Sequence, residues 1–503
     1  MTAPELTLAT LPPEPPRRDP RGLAGRLGGG RWPAVFGVGS AALLVIGLVF
    51  GGVDPIAGPT GLALLALAAA CGALVLGSPM TAVLLLIFAS FTRLAIKIPA
   101  LPAELMALAF CALVAAMAIA WSRGHVRFRF GWLEAAMVAY FAWNVVSAVL
   151  PHMFAAVDPT TGEPFVVYRF ILSGTAIPFV AFVVGRALIR DVGRIRTLLF
   201  TLLVAAGYSA VVSIMQFTGP LELIWPRYIV DAPHYPERAN GIFNQPVVNG
   251  LVMVAGFIAA VLLTHERTLS RFPRVLAGVV AVLCIPGIYL TKTRAVWLVL
   301  AVGLVVCVIF ARGRRTGFAV TLLTAALFVG GTWSTFTSSD RGSGGVGSSS
   351  EVDDRFNSIA TSLWAIEREP AVGWGIGRFT QVNTHYHQKW DESMNYQRGY
   401  AIASHENELG IATELGLIGL ALWLGVLGLL GHALATALRR LARIDGLAGL
   451  PLALLALTAL GTWVVCGFTV DLRFFDFANL LAFLLVGAAV GVADRLTGVG
   501  EPT

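Results

Sequence analysis

The chain has 503 residues, 56% of them hydrophobic and 13% charged, with a formal net charge of +7 and a mean hydropathy of +0.76. So few charges on so apolar a chain exclude a soluble globular domain and define an all-α polytopic membrane protein, since a membrane-crossing backbone must satisfy its own hydrogen bonds. The positive balance is accounted for by topology and anionic lipid, with no call for nucleic acid as a partner.

In chain order, residues 1–33 are rich in Pro, Arg and Gly, lack the apolar core of a signal peptide and read as a disordered cytoplasmic tail. Apolar runs long enough to cross ~30 Å of hydrocarbon then recur at 34–53, 58–77, 80–94, 101–121, 132–151, 168–189, 195–217, 245–264, 273–291, 295–312 and 315–333. A polar segment, 334–406, separates these eleven from a last group at 407–432, 449–470 and 474–495, followed by a short cytoplasmic tail, 497–503. The run at 80–94 is short enough to be re-entrant, which gives twelve to fourteen transmembrane helices. Cys71, Cys111, Cys284, Cys307 and Cys466 all fall inside apolar runs and read as packing residues, without disulfide or metal spacing.

Arginine clusters before the first run, at 123–129, at 186–196, at 267–274, at 312–315 and at 439–443 all fall on one side when fourteen spans are counted. The positive-inside rule makes that side, and both termini, cytoplasmic in a bacterial inner membrane. Loops at 152–167, 218–244, 291–294, 334–406 and 471–473 are then extracytoplasmic, and basic residues there need another reason.

The large loop opens with a Gly/Ser stretch composed like a linker, ending at Ser350. Beyond it, Ser350 followed by Asp353 resembles a helix start, and Phe356, Ile359, Leu363 and Ile366 recur at helical spacing. An amphipathic helix is expected on the membrane surface, with Asp354, Arg355, Asn357, Ser358 and Ser362 on its polar face. The glycine-rich turn Gly373-Trp374-Gly375-Ile376-Gly377-Arg378 follows.

Three extracytoplasmic positions carry chemistry. Arg238 precedes the eighth run, and Arg294 sits in the tight connection Thr291-Lys292-Thr293-Arg294. Each fits an interfacial arginine that snorkels, and each equally fits a guanidinium that grips phosphate through paired hydrogen bonds. His405, in Ser404-His405-Glu406-Asn407-Glu408, stands at the mouth of an apolar helix, where a neutral imidazole serves as general base for an alcohol. Glu406, Glu408 and Asp471 are candidates to orient it, while Glu414 lies about two turns inside the run as a buried hydrogen-bonding carboxylate.

The stretch from His405 through Glu406 and nine further residues to Gly416-Leu417-Ile418-Gly419 resembles the pattern of the O-antigen ligase and Wzy-type polymerase family. The segments around Arg238 to Asn249 and Thr291 to Trp297 are similar to the two arginine-bearing segments of that family. One position departs: the second motif residue is usually Asn, Ser or Gln and is Glu406 in this chain. The resemblance implies a glycosyltransferase C-like fold and an inverting, metal-independent transfer with no cofactor. The donor would be a polyprenyl-pyrophosphate-linked glycan and the acceptor a glycan or a lipid-linked glycan. His405 would take the acceptor proton, Arg238 and Arg294 would stabilise the pyrophosphate, and Arg355 and Arg378 would assist from the loop. Glu406 and the length of the loop tilt the reading from ligase towards polymerase. A transporter or lipid-linked glycan flippase is the alternative with a similar span count; such proteins generally place charge at the bilayer midplane and often show internal repeats, whereas here, Glu414 excepted, the spans are nearly free of charge and no repeat is evident.

Overall fold

The computed structural model describes residues 6–7, 72, 75–97, 104–311, 313–340 and 349–496. The expected run at 34–53, nearly all of that at 58–77, the Gly/Ser stretch 341–348 and the tail 497–503 lie outside the described residues, as does Cys71. The chain divides into two compact units, one of Ala9–Phe128 and one of Met1–Leu8 with Arg129–Thr503.

The smaller unit holds two described helices that pack on each other, α1 (Pro79–Phe91) and α2 (Leu105–Ser122). Ser78 caps α1 by accepting from the Thr81 amide at 3.4 Å, with Pro79 in the first turn where its missing N–H costs nothing. In α2 the buried residues Met106, Ala109, Leu113, Ala116 and Ala120 recur every three or four positions and form its packing stripe.

The larger unit carries α3 (Trp132–Val149), α4 (Val167–Leu188, with a π turn at Leu172–Ala176), α5 (Val192–Thr218), α6 (Pro246–Thr264) and α7 (Arg271–Leu290). It continues with α8 (Arg294–Phe310), α9 (Arg315–Gly331), α10 (Ser349–Arg368), α11 (Phe379–Tyr386), α12 (Asn407–Leu441), α13 (Leu450–Gly467) and α14 (Asp476–Leu496). Among the described residues, nine helices are long and apolar enough to cross a membrane, and α1, α8 and α9 are shorter apolar helices. The protein is therefore an all-helical polytopic membrane protein. Among the described residues, extended pairing is limited to the two-residue parallel pair Leu6–Thr7 and Ile444–Asp445 and a single bridge between Val157 and Pro164.

Helices α6 and α14 form the centre, with almost every residue buried. α14 lies backbone to backbone on α4, because Gly487 and Gly491 are spaced one turn apart on the contacting face. A Cβ at Gly487 would stand 2.2 Å from the Phe182 carbonyl, and one at Gly491 would stand 2.3 Å from that of Arg186. At the end of α12 remote from His405, Asp494 takes ion pairs from Arg186 at 2.8 Å, Arg129 at 3.3 Å and Arg440 at 3.8 Å. Arg186 also pairs with Glu134, so four helices are tied at that end.

Helix α12 departs from the sequence expectation. It extends to Leu441, beyond the expected limit at residue 432, and it is broken at Gly416, where φ is 69° and ψ is −176°. The arm 417–441 is then the membrane-crossing piece, about 37 Å long at 1.5 Å per residue. Glu414 therefore lies before the break, in a separate short helical arm.

The loop helix α10 also differs in which face it offers. Asp354, Asn357, Ser358, Thr361 and Ser362 are fully buried, whereas Phe356 and Leu363 are exposed. The buried polar stripe meets the irregular segment 388–398, whose backbone needs partners. Asn357 accepts from the Trp390 amide at 2.9 Å, Thr361 from the Gln388 amide at 2.9 Å, and Asp354 from the Gln397 amide at 2.7 Å.

Candidate functional site

His405 lies in a left-handed turn, φ 56°, immediately before α12. Such a conformation costs about 1–2 kcal/mol for a residue with a side chain. The turn is braced by Ser404, whose hydroxyl donates to the Glu406 carbonyl at 2.7 Å. The imidazole is half-buried, and its Nε2 has no hydrogen-bond partner. Burial first, then the charges of Arg398 and Arg355, hold its pKa down at about 3, with Glu351 pulling the other way. His405 is consequently neutral at pH 7.

Arg238 is 7% exposed and held on three sides. Its Nε donates to the Thr291 carbonyl at 3.1 Å and its Nη2 to the Thr293 hydroxyl at 2.6 Å, while Nη1 stands 3.6 Å from Glu351 Oε1. The Ala239 amide donates to the Leu290 carbonyl at 2.9 Å, which joins this segment to the end of α7. Asn249, fully buried on α6, donates to the Ala239 carbonyl at 3.1 Å and the Ser213 hydroxyl at 2.8 Å. The two arginine-bearing segments of the sequence thus meet: the connection that presents Arg294 is also the cradle of Arg238.

Arg294 is exposed at the first residue of α8 and lies within the electrostatic reach of Arg355. Arg355 is held below its ordinary range by burial, opposed by Glu351 one turn earlier on α10, and it also feels Arg398, Arg294 and Glu406. Arg398 is fixed by Asp354, Nε to Oδ2 at 2.9 Å. Glu406 has its carboxyl raised by burial and by Glu408, with Arg355 lowering it. Arg238, Glu351, Arg355, Arg294, Arg398, Glu406 and His405 are therefore one electrostatic cluster.

The other predicted residues form a second, deeper cluster. Arg473, in the turn between α13 and α14, donates Nε to Asp471 Oδ1 at 2.9 Å and Nη2 to Asp471 Oδ2 at 2.6 Å, and it pairs through Nη1 with Glu414 at 2.8 Å. Burial works against its charge, but Asp471 and Glu414 outweigh it and hold the guanidinium above its ordinary range. Glu408 on α12 lies within the electrostatic reach of Asp471 and of Glu406. Arg378 donates to the Phe154 carbonyl at 2.8 Å and the Ile376 carbonyl at 3.0 Å, so it clamps loop backbone. Among the charges that shift His405, the acid is Glu351.

The break in α12 joins the two clusters to the loop. It frees carbonyls that segment 370–377 then satisfies: the Trp374 amide donates to the Thr413 carbonyl at 2.9 Å and the Gly375 amide to the Glu414 carbonyl at 2.9 Å. In return the Leu417 amide donates to the Pro370 carbonyl at 2.7 Å, and Trp143 Nε1 to the Leu415 carbonyl at 2.9 Å. Among the described residues no three His, Cys, Asp or Glu side chains are grouped as ligands of a metal ion.

Fold and site together define a polytopic helical membrane protein with a neutral histidine set among guanidiniums at the loop end of its helices. Residues 279–424 match the model of the family described as O-antigen ligase, so the resemblance read from His405 to Gly419 is borne out over the region that carries Arg294, the loop helix and His405. No curated protein matches the chain significantly.

Sequence reasoning passed over three residues of these clusters. Arg473 had a signal, being a basic residue in a loop where the charge rule disfavours one. Glu351 and Arg398 had none, because only the folding of 388–398 onto α10 brings them to His405.

Proposed function

We propose that this protein is an inverting, metal-independent glycosyltransferase acting at the outer face of the cytoplasmic membrane, in polysaccharide ligation or polymerisation. Its donor is a glycan on polyprenyl pyrophosphate and its acceptor a sugar hydroxyl. The observation that carries the reading is the convergence of a neutral His405, with an unpartnered Nε2, and Arg238, Arg294, Arg355 and Arg398 in one electrostatic cluster.

In the reaction the acceptor oxygen attacks the anomeric carbon from the face opposite the pyrophosphate, and the C–O bond to phosphate breaks with its electron pair leaving on the pyrophosphate. His405 takes the hydroxyl proton. Arg238 and Arg294 oppose the charge that builds on the leaving group. An anion among the guanidiniums also relieves the repulsion from Arg398 and Arg355 that adds to burial in keeping His405 weakly basic, so donor binding raises the strength of the base. Arg238, pre-set by Thr291 and Thr293, loses little freedom when it engages phosphate.

The test is transfer in proteoliposomes from a synthetic polyprenyl-pyrophosphate oligosaccharide, supplied with and without a separate acceptor. His405→Ala is expected to slow transfer by about 100-fold or more, the usual range for removing a general base, while donor binding persists. Unchanged transfer in that variant rejects the assignment. Chain extension without a separate acceptor identifies a polymerase.

A further inference from the structure

Glu351 stands where an anionic substrate group would stand. It lies in the first turn of α10, a position that favours a carboxylate, and reaches across to Arg238 Nη1 at 3.6 Å. Arg238 is oriented by Thr291 and Thr293 independently of this contact, so its fork is set whichever anion it faces. Carboxylate and phosphate both use the same N–H edges of a guanidinium and exclude one another there.

Glu351 also has a second cation within its own helix. Arg355 is four residues on, in the favourable order with the acid nearer the N-terminus, and the fields of Glu351 and Arg355 both act on His405. The acid therefore stands between two partners, Arg238 across the site and Arg355 beside the imidazole.

We propose that Glu351 is an internal stand-in for the donor's pyrophosphate: it holds Arg238 until the pyrophosphate displaces it, and then turns to the Arg355 and His405 side, where it stabilises the imidazolium formed during transfer. This rests on the donor reading given above. It makes Glu351 a positioning residue and links occupation of the phosphate site to the strength of the base. No covalent step is added, since the proton moves from acceptor oxygen to His405 and the carboxylate only changes its ion pair.

Full-length protein purified in detergent is titrated calorimetrically with inorganic pyrophosphate, and donor kinetics are then measured in proteoliposomes. Removing a competing ion pair of this kind is expected to tighten pyrophosphate binding by about fivefold in Glu351→Gln. The same variant lowers both KM for the donor and kcat, because the competitor and the partner of the imidazolium are lost together. A residue that merely supports the loop would not tighten pyrophosphate binding. Glu351→Ser serves as a second variant should the glutamine protein fold poorly. Equal or weaker binding in both variants overturns the stand-in role and leaves the donor reading intact. If neither the wild type nor either variant binds pyrophosphate, the donor reading fails and this inference fails with it. Binding that appears only in the variants supports the proposal.

Discussion

Gly416→Ala tests the architecture of the site most directly. At φ 69° and ψ −176° the backbone occupies a region open essentially to glycine alone, and an alanine there costs about 1–3 kcal/mol. Its Cβ would also stand 2.1 Å from the Ala371 carbonyl oxygen and 2.7 Å from the Val372 nitrogen, both backbone atoms that cannot rotate away. Segment 370–377 must then withdraw, breaking its hydrogen bonds to Thr413, Glu414 and Leu417, each worth about 1 kcal/mol. The sum is about 4–6 kcal/mol, local to the loop base. Gly425→Ala, further along the same helix with no atom within 4 Å of the added carbon, is the control and should gain up to about 1 kcal/mol from helix propensity. Thermal denaturation in detergent, together with protease sensitivity of the loop, measures both. If Gly416→Ala melts with Gly425→Ala and its loop stays equally protected, the account of the break is wrong.

Two further outcomes follow from the charged groups. Arg473→Met leaves Asp471 and Glu414 buried without their cation and should cost about 3–5 kcal/mol in the same melting assay; a loss below about 0.5 kcal/mol would show that the pair is solvated. For His405, the folded value of about 3 lies below the ordinary 6.5, so the unfolded chain binds more protons between those limits. Stability is then full above pH 6.5 and is lost as the pH falls from there towards 3. His405 faces Arg398, Arg355 and Glu351, so His405→Gln should flatten this part of the melting profile; an unchanged acid slope would place the titration elsewhere.

The helices were legible because a lipid-facing backbone requires long apolar runs, and twelve of the expected fourteen fall on described helices. His405, Arg238 and Arg294 were legible as polar groups placed against the composition around them. The break in α12 was not, because Gly416 sits in an apolar stretch that reads as continuous helix, and only its φ value and the seating of Pro370 to Gly377 reveal the turn. The interior of the loop was inverted for a related reason. Hydrophobic periodicity singles out Phe356 and Leu363, yet the packing demand comes from the backbone of 388–398, three of whose amides donate to Asp354, Asn357 and Thr361. Glu414 was legible as a buried hydrogen-bonding carboxylate, whereas its ion pair with Arg473, and that of Asp471, a candidate to orient His405, with the same guanidinium, were not.

The seating of 370–377 in the broken helix also has a mechanical side. Its hydrogen bonds to Thr413, Glu414 and Leu417 pin the loop near its middle, between the two ends by which the chain joins it to the helices. The anchored part carries Arg378 and adjoins Glu414, whereas Glu351 and Arg398 lie on the arms to either side. On the function proposed above, a displacement of these arms that admits a glycan would also move the charges around His405, so substrate entry and the field at the base would be coupled.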